Sequence, residues 1–443
     1  MSEDTSENDV VADASKTAVP RLERIILFWQ RWYAWIAAPL LIGLAGVGVA
    51  KACDYAAHLN RMLLERYPYA PIFILPPAFA LLAYLVRRFF RGTPGSGIPQ
   101  TIAVMESEDP RKTSHLLSLR IAFGKALMLT GGLAVGASIG REGPTVQIGA
   151  SIMHAFYGRG FMNTVEQRRS LVMAGGAAGI AAAFNTPLAG VMFAIEELGK
   201  KFVFNAHSST LMTVIVSGLV SLALVGQYTY FGSTAAFLSG LAAVPVVIAC
   251  GVLGGVAGGL FSRLMIKMTF PPPSFIASTM QNRPIVFAGF CGALLAIVAM
   301  LSGNMVLGSG YDATRATLGS DASVYSWYYG IAKFAATFLS SISGIPGGLF
   351  APTLSVGAGL GDGLSGLFPG LGPHGAIVLL VMAAYLSGVT RSPLTALIIT
   401  MEMTNGMHLL LPLAAAVLIA NGVSKLISPT PLYHKLAERF MRI

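Results

Sequence analysis

Apolar runs long enough to cross a lipid bilayer recur along this 443-residue chain, from about residue 33 to about residue 428. Hydrophobic residues make up 54% of the sequence and charged residues only 11%, which is too little charge to cover a soluble protein of this length. The recurring runs therefore predict a polytopic membrane protein.

The basic residues outnumber the acidic ones, with 30 Lys and Arg against 20 Asp and Glu. Positive charge can indicate nucleic-acid binding, but the enrichment of basic residues in the cytosolic loops of membrane proteins explains it better. Cys53, Cys250 and Cys291 lie in apolar segments without paired spacing, so we expect reduced core residues. The sequence shows no zinc-ligand, P-loop or haem motif, and we expect neither a metal site nor a cofactor.

The start of the chain is polar and acidic, with neither the basic end nor the apolar core of a signal peptide. We interpret residues 1–20 as a disordered cytosolic tail. Basic clusters such as Arg87-Arg88-Phe89-Phe90-Arg91 mark the cytosolic ends of the apolar segments that follow.

The second half of the sequence repeats the first. Three stretches recur in the same order at offsets between 206 and 213 residues. The matching pairs are 95–97 with 308–310, 140–150 with 348–358, and 185–188 with 391–394, the last of which sets Glu196 opposite Glu402. This pattern predicts two membrane repeats, 21–235 and 236–443, that together form one transport domain with its substrate between them. The spacing alone does not distinguish parallel from inverted repeats.

Four stretches interrupt the apolar sequence with glycine or proline and predict helix starts inside the membrane. Backbone amides at a helix start bind anions, and Ser96 and Tyr433 add hydroxyl donors. A site built from partial charges and hydroxyls holds an anion without trapping it, as transport requires. The alternative is that these glycines only permit close helix packing. The stretches are Ser96–Pro99, Glu142–Pro144, Gly348–Pro352 and Pro431–Tyr433.

Glu142 places a carboxylate in apolar sequence directly before Gly143, the predicted N-cap, and Pro144. The helix that Pro144 opens can run only to about Tyr157, roughly 21 Å, which is short of the ~30 Å hydrocarbon core. If the basic end of this helix is cytosolic, Glu142 is held inside the membrane and not at its surface. A deprotonated Glu142 competes with a dissolved anion for the electropositive helix start, and a protonated one yields to it, which links proton to anion movement. The alternative is a carboxylate that only caps its own helix.

Two further glutamates, Glu196 and Glu197, lie at a cytosolic helix end beside Lys200 and Lys201. One of them can pass protons between the cytosol and the interior; the alternative is a solvated helix end balanced by the lysines. Lys125, inside an apolar segment, is interpreted as a paired buried charge.

The segment 136–140 matches the Gly-x-Ser-x-Gly nucleophile pattern around Ser138. An intramembrane serine hydrolase would need a histidine partner and a preceding strand. The context here is glycine-rich helix, and none of the seven histidines falls in a recognisable catalytic pattern. A hydrolase is therefore a remote alternative.

At these positions the sequence resembles the CLC family of chloride channels and chloride/proton exchangers. The four interrupted stretches match that family's four signature stretches in order, within a likeness that covers roughly residues 30 to 440. The resemblance implies an all-α membrane fold of two inverted-topology repeats with broken and short tilted helices. It also implies a homodimer in which each subunit has its own pathway.

The resemblance further implies a central chloride bound by the Ser96 and Tyr433 hydroxyls and by the amides of Leu349 and Phe350. The amide of Gly143 would help to hold a second anion.

Glu142 would compete at that second position as the external gate and proton carrier. Glu197 falls where exchangers of the family keep an inner proton-transfer glutamate, with Glu196 beside it. Ser96 matches the chloride-preferring members.

The predicted function is thus a secondary active transporter, not an enzyme, that exchanges chloride for protons. The alternative is a passive, gated chloride channel with the same anion pathway. The expected partners are chloride, protons, the lipid bilayer and a second copy of the chain, with no nucleic acid. The absence of a nucleotide-sensing domain and the short cytosolic ends suggest a prokaryotic inner membrane.

Overall fold

The computed structural model describes residues 21–158, 164–200, 208–226, 229–238, 240–241, 243–270, 272 and 274–442. The predicted tail, residues 1–20, lies outside the described residues. In chain order, the α-helices of the first half are α1 (Arg21–Arg66), α2 (Ala70–Phe89), α3 (Ile98–Glu106), α4 (Pro110–Thr113), α5 (Leu119–Ala134), α6 (Glu142–His154), α7 (Val165–Phe184), α8 (Pro187–Phe193) and α9 (Ser208–Val225).

The second half of the described chain is helical in the same way. Its α-helices are α10 (Ala243–Thr269), α11 (Ser274–Asn282), α12 (Pro284–Leu301), α13 (Tyr311–Leu318), α14 (Tyr329–Ile342), α15 (Phe350–Leu367), α16 (His374–Thr390), α17 (Pro393–Thr404), α18 (Leu410–Ile427) and α19 (Leu432–Met441). Short 3₁₀ turns span Ser114–Leu117 and Met407–Leu409, and a π turn spans Ala194–Leu198. The described residues form no β-strand.

Five stretches of helix in the described chain are long and apolar enough to cross a membrane. A sixth is possible if Arg111–Leu117 and α5, which meet at a 45° bend, form one broken span. Many of the side chains that these helices expose are large and apolar, among them Phe73, Phe123 and Leu411, as expected where lipid replaces water. The predicted all-α polytopic membrane fold is confirmed. The five stretches are Trp35–Arg66, α2, α10, α12 and Met407–Ile427.

Two closely packed helix pairs, α6 with α7 and α15 with α16, consist mostly of buried residues. All 17 residues of α16 are buried. The backbones of α6 and α7 touch at Gly149 and Gly175, where a Cβ on either residue would collide with the carbonyl oxygen of the other. At the corresponding place in the second half, a Cβ on Gly357 would lie 2.7 Å from the Cα of Met382. Small residues thus let these helices approach closely.

The start of α6 differs from the prediction. The N-cap is Arg141, not Gly143, and the 13-residue helix begins at Glu142 and ends at His154. The first turn closes when the Thr145 amide donates to the Arg141 carbonyl at 3.0 Å. Pro144 fits one step further into the helix because none of the first-turn amides has an intrahelical partner. Glu142 therefore belongs to the first turn of α6.

Candidate anion and proton site

Backbone hydrogen bonds join the starts of the broken helices. Gly140 and Gly348 donate to each other's carbonyls at 2.8 and 2.7 Å, which ties the start of α6 to the start of α15. Gly95 donates to the Ile345 carbonyl and accepts from the Gly347 amide, both at 3.1 Å, which brings the start of α3 to the same place. Helix starts from both halves of the chain therefore meet at one point.

Glycine is required where these starts touch. A Cβ at Gly143 would overlap the Ser96 hydroxyl, and a Cβ at Gly348 would lie 2.9 Å from the Gly143 nitrogen. Gly97 has a φ of 105°, which favours glycine, and a Cβ there would lie 2.7 Å from the Gly143 carbonyl oxygen. Ser96, Gly143 and the start of α15 consequently share one pocket wall.

Two hydroxyl groups lie in this pocket. Ser96 and Tyr433 are both buried, and neither hydroxyl oxygen makes a well-formed hydrogen bond within the described residues. The two side chains are near enough to influence each other, and the Tyr433 ring lies 6.2 Å from the Phe350 ring. A buried hydroxyl without an acceptor costs about 1–3 kcal/mol, so a bound anion is a suitable acceptor for both.

Leu349 and Phe350 lie where α15 begins. Leu349 is the N-cap and Phe350 the first helical residue, so their amides belong to the unpaired set at the helix start. The Phe350 ring packs edge-on against Phe184 and Phe193, at 6.3 and 6.0 Å between centroids. These contacts fix the backbone that carries the two amides.

The carboxylate of Glu142 is held by the other half of the chain. Its side chain is fully buried, and Oε2 accepts from the Ala351 amide at 3.3 Å, in the first turn of α15. The neighbouring Arg141 guanidinium instead donates to Asp54 at 2.8 Å and to the Ala50 carbonyl at 3.0 Å. Glu142 Oε1 has no hydrogen-bond partner among the described residues. The carboxylate thus lies at an amide-lined helix start, where an anion can replace it.

Glu196 and Glu197 have different surroundings. Glu196 accepts from the amides of Leu394 and Thr395 at 3.1 and 2.6 Å, so it caps the start of α17. Glu197 is buried within the π turn, where Oε2 accepts from the Ser392 hydroxyl and Oε1 has no partner among the described residues. Of the two, Glu197 is the one with a carboxylate oxygen that no described residue bonds.

Glu402, in the second half of the chain, caps a helix of the first half in the way that Glu196 caps a helix of the second half. Its carboxylate accepts from the amides of Leu188 and Ala189, at 3.2 and 2.7 Å, and so caps the start of α8. Each half of the chain therefore supplies a carboxylate that caps a helix of the other half, which is the relationship that the alignment of Glu196 with Glu402 indicates.

A pair of buried lysines supports the glycine loops. Lys125 donates to the carbonyls of Thr93 and Gly95 at 2.7 and 2.6 Å, and no carboxylate pairs with it among the described residues. The prediction that Lys125 forms a buried ion pair is therefore wrong. Lys333 donates in the same way, at 2.8 Å, to the carbonyls of Val306 and Gly308. Sequence reasoning missed Lys333, although the repeat offset points to it.

A cavity of about 570 Å³ leads to the same pocket. Ser96 and Leu349 of the pocket line this cavity together with Arg87, Arg91 and Arg439. Such a basic cavity attracts anions toward the helix starts. Sequence reasoning used the arginine cluster only as a marker of the cytosolic side.

Ser138 lies outside this pocket. Its hydroxyl is buried against the Thr337 hydroxyl at 3.0 Å, and its amide donates to Ser340 at 3.0 Å. Neither partner is a base, so the geometry gives no support to a serine nucleophile.

The fold and the joined helix starts define a polytopic membrane protein of the ion-transport class. The sequence model of the voltage gated chloride channel family matches residues 78–425. The chain belongs to this family, and the resemblance to CLC proteins is confirmed.

Proteins of known function and structure are similar along nearly the whole chain. The H(+)/Cl(−) exchange transporter ClcA of Citrobacter koseri is 30% identical over 418 residues, which cover 90% of this chain and 86% of that protein. The ClcA of Yersinia pseudotuberculosis is 29% identical over 419 residues, with coverages of 90% and 85%. The crystal structure of a slow cyanobacterial Cl⁻/H⁺ antiporter has a TM-score of 0.75 at 27% identity and covers 93% of this chain and 98% of its own.

A CLC-type fluoride/proton antiporter is similar in fold. Its crystal structure has a TM-score of 0.76 at 22% identity, with 94% of this chain and 99% of that chain covered. At this identity the likeness concerns the fold alone.

Proposed function

We propose that this chain is a secondary active transporter, not an enzyme, that exchanges chloride for protons across a membrane. Relatives that match 90% of the chain carry the name H(+)/Cl(−) exchange transporter, and a solved structure at 27% identity is titled a Cl⁻/H⁺ antiporter. The observation that carries the proposal is the buried Glu142 carboxylate on the Ala351 amide at the start of α15. A group that takes a proton thus shares a pocket with donors that suit an anion.

The proposed exchange depends on mutual exclusion. When Glu142 is deprotonated, its carboxylate occupies the amides at the start of α15, and protonation removes the charge that holds it there. A chloride then takes its place near the Gly143 amide, while a second chloride binds at the central position. The central donors are the hydroxyls of Ser96 and Tyr433 and the amides of Leu349 and Phe350. Since carboxylate and chloride cannot both occupy the helix start, protons and chloride move in a coupled way.

Glu197 is proposed as the internal proton-transfer residue, since it is buried and one of its carboxylate oxygens has no described partner. Glu196, the second candidate, is better described as a helix cap because both its oxygens accept backbone amides of α17. No cofactor is proposed, since chloride is the substrate.

We also propose that the chain is built from two inverted repeats, 21–235 and 236–443. The reciprocal Gly140 and Gly348 hydrogen bonds and the matched roles of Lys125 and Lys333 support this division. A homodimer with one pathway per subunit, in a prokaryotic inner membrane, completes the proposal; the ClcA relatives come from bacteria.

A passive, gated chloride channel is the alternative with the same anion pathway. Reversal potentials of the reconstituted protein, measured at fixed chloride and varied pH gradient, separate the two. An exchanger shifts its reversal potential with the proton gradient. A channel reverses at the chloride equilibrium potential whatever the proton gradient is, and that result would overturn the proposal.

A further inference from the structure

His434 connects two acidic residues on different elements. It lies in the first turn of α19, directly after Tyr433. Its Nδ1 is 2.8 Å from Glu106 Oε1, at the end of α3, and its Nε2 is 3.1 Å from the backbone oxygen of Glu197, in the π turn. A carbonyl only accepts, so Nε2 carries a hydrogen. Nδ1 is then able either to accept a proton from Glu106 or, in the charged ring, to donate one to it.

Glu106 brings this connection close to the exposed loop that follows α3. Its side chain is 8% exposed, as is that of His434, and the exposed residues Glu108 and Asp109 follow it two and three positions later. The end of α3 is fixed because Arg169 donates to the Met105 carbonyl at 2.9 Å and Arg168 donates to the Ser107 carbonyl. Glu106 is thus held at the rim of the fold, between an acidic loop and the buried imidazole.

The other charged groups near Glu197 are engaged elsewhere. Lys200 donates to the Arg391 carbonyl at 3.1 Å, and Glu196 is held by the amides of α17. On α19 itself, Lys435 pairs with Glu438 at 2.8 Å. Among the described contacts, His434 is therefore the residue whose imidazole, which can both accept and donate a proton, contacts the Glu197 residue.

We propose that Glu106 and His434 form the proton relay between the solvent and Glu197. This inference rests on the proposed exchange function, in which Glu197 is the internal proton-transfer residue. Glu106 takes a proton from water and gives it to Nδ1. The imidazolium then turns its Nε2–H from the Glu197 backbone oxygen to the carboxylate of the same residue and releases that proton there. The neutral ring then loses its Nδ1 hydrogen to water and takes one up on Nε2, which restores the starting tautomer. One proton enters and one leaves, so the relay is balanced.

A purely structural role for His434 makes a different prediction. In that role the imidazole would only tie α19 to α3 and to the π turn. Asn and Gln keep a hydrogen-bonding amide at the position of one ring nitrogen each, but neither exchanges protons near neutral pH. His434→Asn and His434→Gln therefore separate a proton relay from a structural tie.

The experiment uses the full-length chain in proteoliposomes and measures chloride flux and uphill proton flux under an imposed chloride gradient. We expect both variants to lower proton flux roughly tenfold or more while chloride flux stays within about twofold, because positioned proton transfer contributes at least that much to rate. Added imidazole should restore proton flux in His434→Gly. His408→Asn is the matched control. His408 is exposed, and its one described hydrogen bond is to the Ala236 carbonyl.

The outcomes distinguish the relay from the function on which it rests. A wild-type protein that moves chloride without protons would overturn the exchange function itself. If the wild type couples proton flux to chloride flux and both His434→Asn and His434→Gln keep that coupling in full, the relay alone is overturned. If the His434 variants do not fold, Glu106→Gln decides: lowered proton flux with retained chloride flux supports the relay, and unchanged coupling overturns it.

Discussion

Glu142 and Ala351, 209 residues apart in the sequence, meet where a side-chain oxygen accepts a backbone amide at 3.3 Å. The carboxylate lies at the positive end of a helix from the other half of the chain, where the macrodipole and the unpaired amides favour negative charge. The carboxylate thus lies where an anion would bind, which is the contact on which the proposed gating role of Glu142 rests.

Neutralising Glu142 should separate the two fluxes. In Glu142→Gln the side chain no longer carries a proton or competes as an anion, so we expect chloride flux to continue and proton flux to vanish. Proteoliposome recordings of chloride and pH measure both. Glu166→Gln, at an exposed position on α7, is the control and should leave coupling unchanged. Persistent proton flux in Glu142→Gln would contradict the assignment.

Removing a hydroxyl donor should weaken chloride binding. A hydrogen bond to a charged group contributes about 1.5–3 kcal/mol, so Ser96→Ala and Tyr433→Phe should each weaken binding by roughly 10- to 100-fold. Titration calorimetry of the purified protein with chloride provides the measurement. Tyr385→Phe is the matched control, because this tyrosine on α16 is also buried with no described hydroxyl partner. If Tyr433→Phe and Tyr385→Phe bound chloride with equal affinity, the result would contradict the assignment of Tyr433 as a chloride ligand.

The lysines beneath the glycine loops should matter for stability. Lys333→Met leaves the carbonyls of Val306 and Gly308 without their donor, and each buried unsatisfied group costs about 1–3 kcal/mol. We expect a lowered thermal unfolding temperature in detergent for Lys333→Met and likewise for Lys125→Met. Lys267→Met removes an exposed lysine of α10 and should change little. If all three variants melted alike, the loops would not depend on the lysines.

The reciprocal caps should be equivalent. Glu196→Ala and Glu402→Ala each remove a carboxylate from two amides at a helix start, and loss of a cap costs about 0.5–2 kcal/mol. Both variants should therefore lower thermal stability by similar amounts, with the proton-to-chloride ratio preserved in the folded fraction. If Glu196→Ala moved chloride without protons while Glu402→Ala kept the normal proton-to-chloride ratio, proton transfer would instead be assigned to Glu196.

The sequence alone predicts the parts of the fold that follow from local residue patterns and from the internal repeat. Apolar runs, proline at helix starts and the offset between Gly140 and Gly348 predict broken helices in two related halves. The start of α6 was predicted two residues too late, at Pro144 and not at Glu142, because proline fits at several places in a first turn. Lys333, the joining of His434 to Glu106 and the division of roles between Glu196 and Glu197 depend on tertiary contacts, which a local pattern does not contain.

The central claim is that one pocket couples chloride to protons. It is tested most directly in proteoliposomes loaded with chloride and placed in low-chloride medium at equal pH, with the internal pH recorded as chloride leaves. The account predicts that chloride efflux drives protons inward against the gradient they build up. Clear chloride efflux without any change in internal pH would contradict it.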